Sequence, residues 1–176
     1  KVREYLLNEF KNQKLEECEA EDMNYLGYQM ERVTLRVISP EALSIPCDDL
    51  GLSGFTAKGG TEAELVYAGE GEDEDYATLS KRGEGCIGKI VLADAFKSYQ
   101  AVPRAEENWA LGFILGTRMK EEVVRVGVTN LSGVPGRIPA VAVAPSQSRK
   151  LQSLLKNNPV RVQLEVTGEY RNETSQ

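Results

Sequence analysis

The chain is 176 residues long, with 41% hydrophobic and 27% charged residues. That is ordinary globular usage, and a chain of this size should bury roughly 70% of its unfolded surface. Its 21 Lys and Arg stand against 27 Asp and Glu, a formal net charge of −6. This argues against a nucleic-acid binder, which needs a basic groove to release counterions, and against an anionic membrane surface. No apolar run approaches the ~18 residues of a membrane span, and no basic-then-apolar leader is visible. The sequence holds no histidine. That removes a Ser-His-Asp or Cys-His device and leaves carboxylates and thiolates as the metal ligands on offer.

Residues 1–14 read as an amphipathic helix, with Val2, Leu6 and Phe10 at four-residue spacing and Tyr5 beside them. A helix this short is marginal alone and must dock on something. Residues 15–38 read as two strands, the second alternating through Val33, Leu35 and Val37 until Ser39-Pro40 breaks the pattern. The stretch 44–61, with one Pro and four Gly, reads as an irregular connection. A strand is expected at 62–68, followed by an acidic loop over 69–76.

The next strand is expected at 87–93. Gly88 is assigned there to close approach of neighbouring backbone. A short helix follows at 103–110, with Pro103 in its first turn. Leu111–Leu115 reads as an apolar strand, 121–128 as another, and Ile138–Val143 as a buried strand entered through Pro139. Ser146 is the expected cap of a helix over 147–157, whose core face carries Leu151, Leu154 and Leu155. Strict alternation from Val160 to Val166 marks a last, half-buried strand.

The order of four motifs carries a resemblance. They are Glu64-Leu65-Val66-Tyr67-Ala68-Gly69-Glu70-Gly71 closing on Asp75-Tyr76; Gly88-Lys89-Ile90-Val91-Leu92; Ala105-Glu106-Glu107-Asn108-Trp109-Ala110-Leu111-Gly112-Phe113-Ile114; and Ile138-Pro139-Ala140-Val141-Ala142-Val143. This order resembles the protease-associated domain inserted in di-zinc aminopeptidases and glutamate-carboxypeptidase-like exopeptidases.

The resemblance implies an α+β, α/β-like fold: a mixed-strand open barrel or sandwich with two or three flanking helices. It also implies three parts: residues 1–59, a helix and strands leading from the parent peptidase; 60–168, the protease-associated domain; and 169–176, the start of a linker to an absent catalytic domain. Zinc would belong to that catalytic domain and no cofactor to this chain. The partners implied are its own catalytic domain and a peptide or protein substrate, with no nucleic acid and no membrane span. The compartment implied is extracytoplasmic or the cell envelope. Residues 96–104 depart from the family pattern, so no substrate role is carried onto them.

Candidate site residues are few. The acidic cluster around Asp73 and Asp75 could bind calcium, though a solvated loop is the preferred reading. No catalytic residue is assigned. Cys18, Cys47 and Cys86 are odd in number and lack a CxxC pair; free thiols are the preferred reading, with one disulfide left open by the spacing. Gly83-Glu84-Gly85 precedes a strand, so it reads as a turn rather than a phosphate loop. Trp109 and Arg104 are candidate interaction residues, with Trp109 weighed against a place in the core. Arg118, Lys120 and Arg125 read as scattered surface charge. The function expected is a non-catalytic module that modulates substrate access or binds peptide or protein. The alternative is a free-standing interaction or calcium-binding domain.

Overall fold

A computed structural model describes residues 2–174. They divide into two compact units: residues 2–29 with 170–174, and Met30–Glu169. The smaller unit begins with α1 (Val2–Asn12), a helix without a buried residue; its Val2, Tyr5, Leu6 and Phe10 are exposed. Arg3 pairs with Asp22 at 2.9 Å and donates to the Ala20 carbonyl.

Residues 15–38 form one strand, not two: β1 (Asn24–Ser39). The acidic run from Glu16 to Asp22 has no apolar alternation to bury, so no strand forms there. The start of β1 meets the end of the last strand within the smaller unit. Tyr28 stacks on Tyr170 at 5.2 Å, and Tyr25 donates its hydroxyl to Glu173 at 2.8 Å.

In the larger unit β1 is followed by β2 (Leu43–Ile45) and β3 (Cys47–Asp49), so the expected irregular connection carries two short strands. Residues 30–59 also supply Leu35, Val37, Ile45 and Leu50 to the cores of this unit. Then come β4 (Thr61–Tyr67), α2 (Asp73–Lys81), β5 (Ile90–Ala93), α3 (Ser98–Glu107), β6 (Gly112–Leu115), β7 (Ala140–Val143), α4 (Pro145–Asn157) and β8 (Arg161–Thr174). The strand order is β2-β1-β8-β4-β5-β6-β7-β3. The steps from β4 through β7 are parallel, whereas β8 and β3 lie antiparallel on β4 and β7. This is the mixed sheet of an α+β fold; the larger unit holds three helices, α2 to α4, and the smaller unit holds α1.

Every residue of β5, β6 and β7 is buried, which fits a parallel sheet covered on both faces. Alternation sorts their side chains into two cores. Val91, Phe113 and Ala142 meet Leu79 of α2 and Val102 of α3. Ile90, Ile114 and Val141 meet Leu35, Ile45, Leu164 and Leu151 of α4.

The sequence errs where polar residues serve as caps. The acidic loop is the first turn of α2. Glu72 and Asp75 form a reciprocal capping box, and acids are favoured at that positive end of the helix. Helix α3 starts at Ser98, so Pro103 lies inside it rather than in its first turn. Ala101, Val102 and Ala105 bury one face, and this burial outweighs the single N–H that Pro103 lacks. Ser146 does not cap α4. Pro145 opens the helix after Ala144, and the Glu122 carboxylate accepts the Ser146 N–H at 3.2 Å. The Ser146 and Arg149 bonds hold the Glu122 carboxyl below the usual carboxylate range, against a smaller opposing effect of burial.

No strand forms at 121–128; Val123 and Val126 are exposed, and only Val128 bridges to Gly51. Gly88 is needed for its φ of +72°, since a Cβ there would meet nothing within 4 Å. Strand β8 outruns its expected end at 166, so residues 169–174 continue the strand; Ser175 and Gln176 lie outside the described residues.

Trp109 ends α3 in a left-handed conformation, φ 60°. Its N–H bonds Glu106, and the Ala110 N–H bonds Ala105, both at 3.0 Å. This is the Schellman pattern, with Trp where Gly is usual. The side chain is 73% exposed, so the core reading of Trp109 does not hold. Trp109→Gly should raise stability by about 0.5–1 kcal/mol in urea unfolding, because a left-handed Trp costs more than glycine's extra chain entropy. A less stable variant would mean that the exposed ring makes stabilising contacts. Leu164, fully buried, should cost about 2–5 kcal/mol when cut to Ala. A loss under 1 kcal/mol would contradict its place in the core.

Candidate functional site

Because β4 to β7 run parallel, their carboxyl ends share one edge, the usual place for polar function in such sheets. Asp94 follows β5 there, and its side chain is only 6% exposed. Tyr67, at the end of β4, donates its hydroxyl to Asp94 Oδ2 at 3.0 Å. From α4, Ser148 Oγ donates to Oδ1 at 2.7 Å and Gln152 Nε2 to Oδ2 at 2.9 Å. Arg118, after β6, sets its Nε 3.8 Å from Oδ2 and also pairs with Glu70. Gly116 is required beside this cluster, because a Cβ would overlap Asp94 Oδ1 and Ser148 Oγ.

The network opens on a cavity of about 280 Å3, whose rim includes Phe96, Met119 and Arg125. The Arg125 guanidinium lies 4.4 Å from the Phe96 ring centroid, a cation–π pair on an aromatic that is 77% exposed. Burial pushes the Tyr67 phenol above its ordinary pKa; Arg118 opposes this and the Asp94 charge adds to it. The phenol therefore stays a donor at neutral pH. Asp94 already receives three hydrogen bonds and faces a guanidinium, so its oxygens are committed to structure. This arrangement suits a binding rim better than proton transfer.

The residues singled out from the sequence lie elsewhere. Arg104 turns inward and clamps α3 to the start of α2, at 2.7 Å from Glu72 and 3.2 Å from Asp73. Asp75 Oδ2 accepts the N–H groups of Glu70 and Glu72 at 3.0 and 3.1 Å. Asp73 and Asp75 thus share the first turn of α2, where both carboxylates already have partners. Trp109 stands with exposed Ile87 and Leu111, joined through the Gly88 N–H to the Trp109 carbonyl at 3.0 Å. Arg118 and Arg125, taken as scattered charge, both border the cavity.

The three cysteines are free. Burial first, then the charge of Asp48, pushes the Cys47 thiol up to about 11. Burial also raises Cys86, with Lys89 opposing. Sequence reasoning missed Asp94, Tyr67, Ser148 and Gln152. The available signal was an acid placed directly after the buried run Ile90–Ala93.

Four parallel strands, flanked by antiparallel β8 and β3 and by helices α2, α3 and α4, define an α+β mixed-sheet domain with a polar carboxyl-end rim. The same fold occurs in an aminopeptidase from Aneurinibacillus sp. strain AM-1, at TM-score 0.74 and 20% identity over 98% of this chain and 40% of that one. It occurs in a peptidase M28 precursor from Shewanella amazonensis SB2B, at TM-score 0.72 and 19% identity over 99% and 43%. A zinc aminopeptidase from Bacillus subtilis matches at TM-score 0.67 and 20% identity over 99% and 39%. The chain thus spans about two fifths of the length of these proteins. No family model and no curated protein matches the sequence. The residues present do not suit a zinc cage: histidine is absent, and the described residues hold no group of three potential ligands.

Asp94→Ala should cost about 2–3 kcal/mol in urea unfolding, because Tyr67, Ser148 and Gln152 would lose a buried acceptor. Asp94→Asn, which keeps one acceptor, should cost less. Asp94→Ala with wild-type stability would show that the network does not hold the rim together.

Proposed function

We propose that this chain is the non-catalytic accessory portion of a zinc-dependent exopeptidase, a protease-associated domain with the segment that precedes it. Its work is steric and interfacial: it flanks the active site of a catalytic domain in the same polypeptide, restricts access and contacts the peptide substrate. The observation that carries this reading is the extent of the fold match. It takes in 98% of this chain, N-terminal helix and first strands included, but only 40% of the Aneurinibacillus aminopeptidase. An isolated resemblance of the sheet would leave the N-terminal segment unmatched.

Two further observations fit. The exposed stripe Val2, Tyr5, Leu6 and Phe10 on α1 is the kind of surface that packs on another part of a protein. The carboxyl-end rim offers Phe96, Arg118 and Arg125 to a passing peptide but no group free to shuttle protons. Arg104 and Trp109 then take different parts in this reading, Arg104 bracing α3 against α2 and Trp109 offering an aromatic surface.

The test compares the purified chain with the product of the whole gene on aminoacyl p-nitroanilides, with and without zinc. The chain alone should show no zinc-dependent turnover, and the whole product should lose activity on chelation and regain it with zinc. Zinc-dependent hydrolysis by the chain alone would refute its accessory role. A whole product without hydrolysis would refute the peptidase parent and favour a free-standing interaction domain.

A further inference from the structure

A cavity of about 520 Å3 in the larger unit lies along the second half of β4 and borders the Asp94 network through Tyr67 and Gln152. Ala68 donates its N–H to the Leu92 carbonyl at 2.9 Å. Peptide groups alternate direction along a strand, so Val66 also faces β5, and Leu65 and Tyr67 face the other way. On that side Leu65 donates to the Val160 carbonyl at 2.8 Å, and β8 pairs with β4 only over Thr61–Glu64. On that side no strand among the described residues pairs with Tyr67, and Asn158 and Pro159 line the opening, whereas β5 flanks its other side.

Two helices wall this edge. Val66 packs with Leu79 of α2 on one face of the sheet, and Leu65 and Tyr67 pack with Leu155 of α4 on the other. The cavity opens between them. Its charge is distinctive in a chain of net −6. Lys89 is neutralised by Glu64 at 3.1 Å, but Arg82 and Lys156 are exposed and have no ion-pair partner among the described residues. Glu84 is the one further acid on the wall, so a net positive charge remains.

The geometry points to this slot as a site for an extended peptide that carries a carboxylate. The peptide adds beside Tyr67 by main-chain hydrogen bonds, and its carboxylate lies against Arg82 and Lys156. Strand addition to an open edge supplies affinity without regard to sequence, and the paired cations supply the preference. The site adjoins the rim, sharing Tyr67 and Gln152 with the Asp94 network, and it stands whether or not the chain has a peptidase parent.

Three fluorescein-labelled octapeptides of alternating Thr and Val test it: one with a free C-terminal carboxylate, its amidated twin, and an amidated version with one central Glu. Fluorescence polarisation should show saturable binding of a carboxylate peptide, at least tenfold tighter than the neutral twin. Binding of the free-acid peptide alone assigns the site to chain ends; binding of the Glu peptide as well assigns it to any carboxylate. The exposed double variant Arg82→Glu/Lys156→Glu should bind at least tenfold more weakly with an unchanged circular dichroism spectrum. In 15N-labelled protein the Tyr67 amide resonance should shift on titration. Equal binding of the neutral twin, an unaffected double variant, an unmoved Tyr67 amide, or no saturation up to millimolar peptide would each overturn the proposal. None of these outcomes bears on hydrolysis by the whole gene product, so the two readings fail separately.

Discussion

Ile45 and Cys47 belong to strands at opposite ends of the eight-strand order, yet only Pro46 separates them. Two edges that far apart cannot be joined by one residue in a flat sheet. The sheet of the larger unit must curl until β2 and β3 come near each other. The cores record this closure: Ile45 from one end and Val143 from the other share a cluster with Leu35, Ile90 and Leu164. Near-closure also limits the exposed strand edge, which is otherwise a template for unwanted pairing.

Curling gives the two sides of the parallel strands different work. One side of β4 to β7 is enclosed, with Leu151 of α4 among its apolar side chains. The other packs on α2 and α3 through Leu79, Val102 and Ala105. Polar chemistry is pushed to the strand ends. At the carboxyl ends one carboxylate, Asp94, ties strand β5 to β4 through Tyr67 and to α4 through Ser148 and Gln152. At the opposite ends Trp109, Ile87 and Leu111 form an exposed apolar surface on a turn held by backbone hydrogen bonds. The domain thus has a polar rim at one end of its parallel strands and exposed apolar side chains at the other.

Much of the sheet was legible in the residues. The runs Ile90–Ala93, Gly112–Leu115 and Ala140–Val143 announce strands buried on both faces, and the alternation of Val160 to Val166 announces one that borders solvent. Burial of apolar side chains is decided locally by pattern, so these readings survive in the structure. The acidic stretch at 70–75 failed because the same residues that solvate a loop also cap a helix. Pairing with Arg104 and the reciprocal Glu72–Asp75 bonds settled which it would be. Residues 121–128 failed in the opposite sense. Their valines have strand propensity but find no neighbouring strand to pair with, and only Val128 makes a bridge.

By itself the sequence determined the class of the fold, the positions of its central strands and the absence of imidazole chemistry, since each follows from residue type and local spacing. Tertiary structure alone decided that Asp94, Tyr67, Ser148 and Gln152 meet, that Arg104 faces inward while Trp109 faces out, and that a cavity opens beside the end of β4 between two helices. Those outcomes depend on which strand lies beside which. Some neighbours in the sheet here lie about 100 residues and more apart along the chain, as in the pairing of Thr61 with Leu164, and no local pattern encodes that distance.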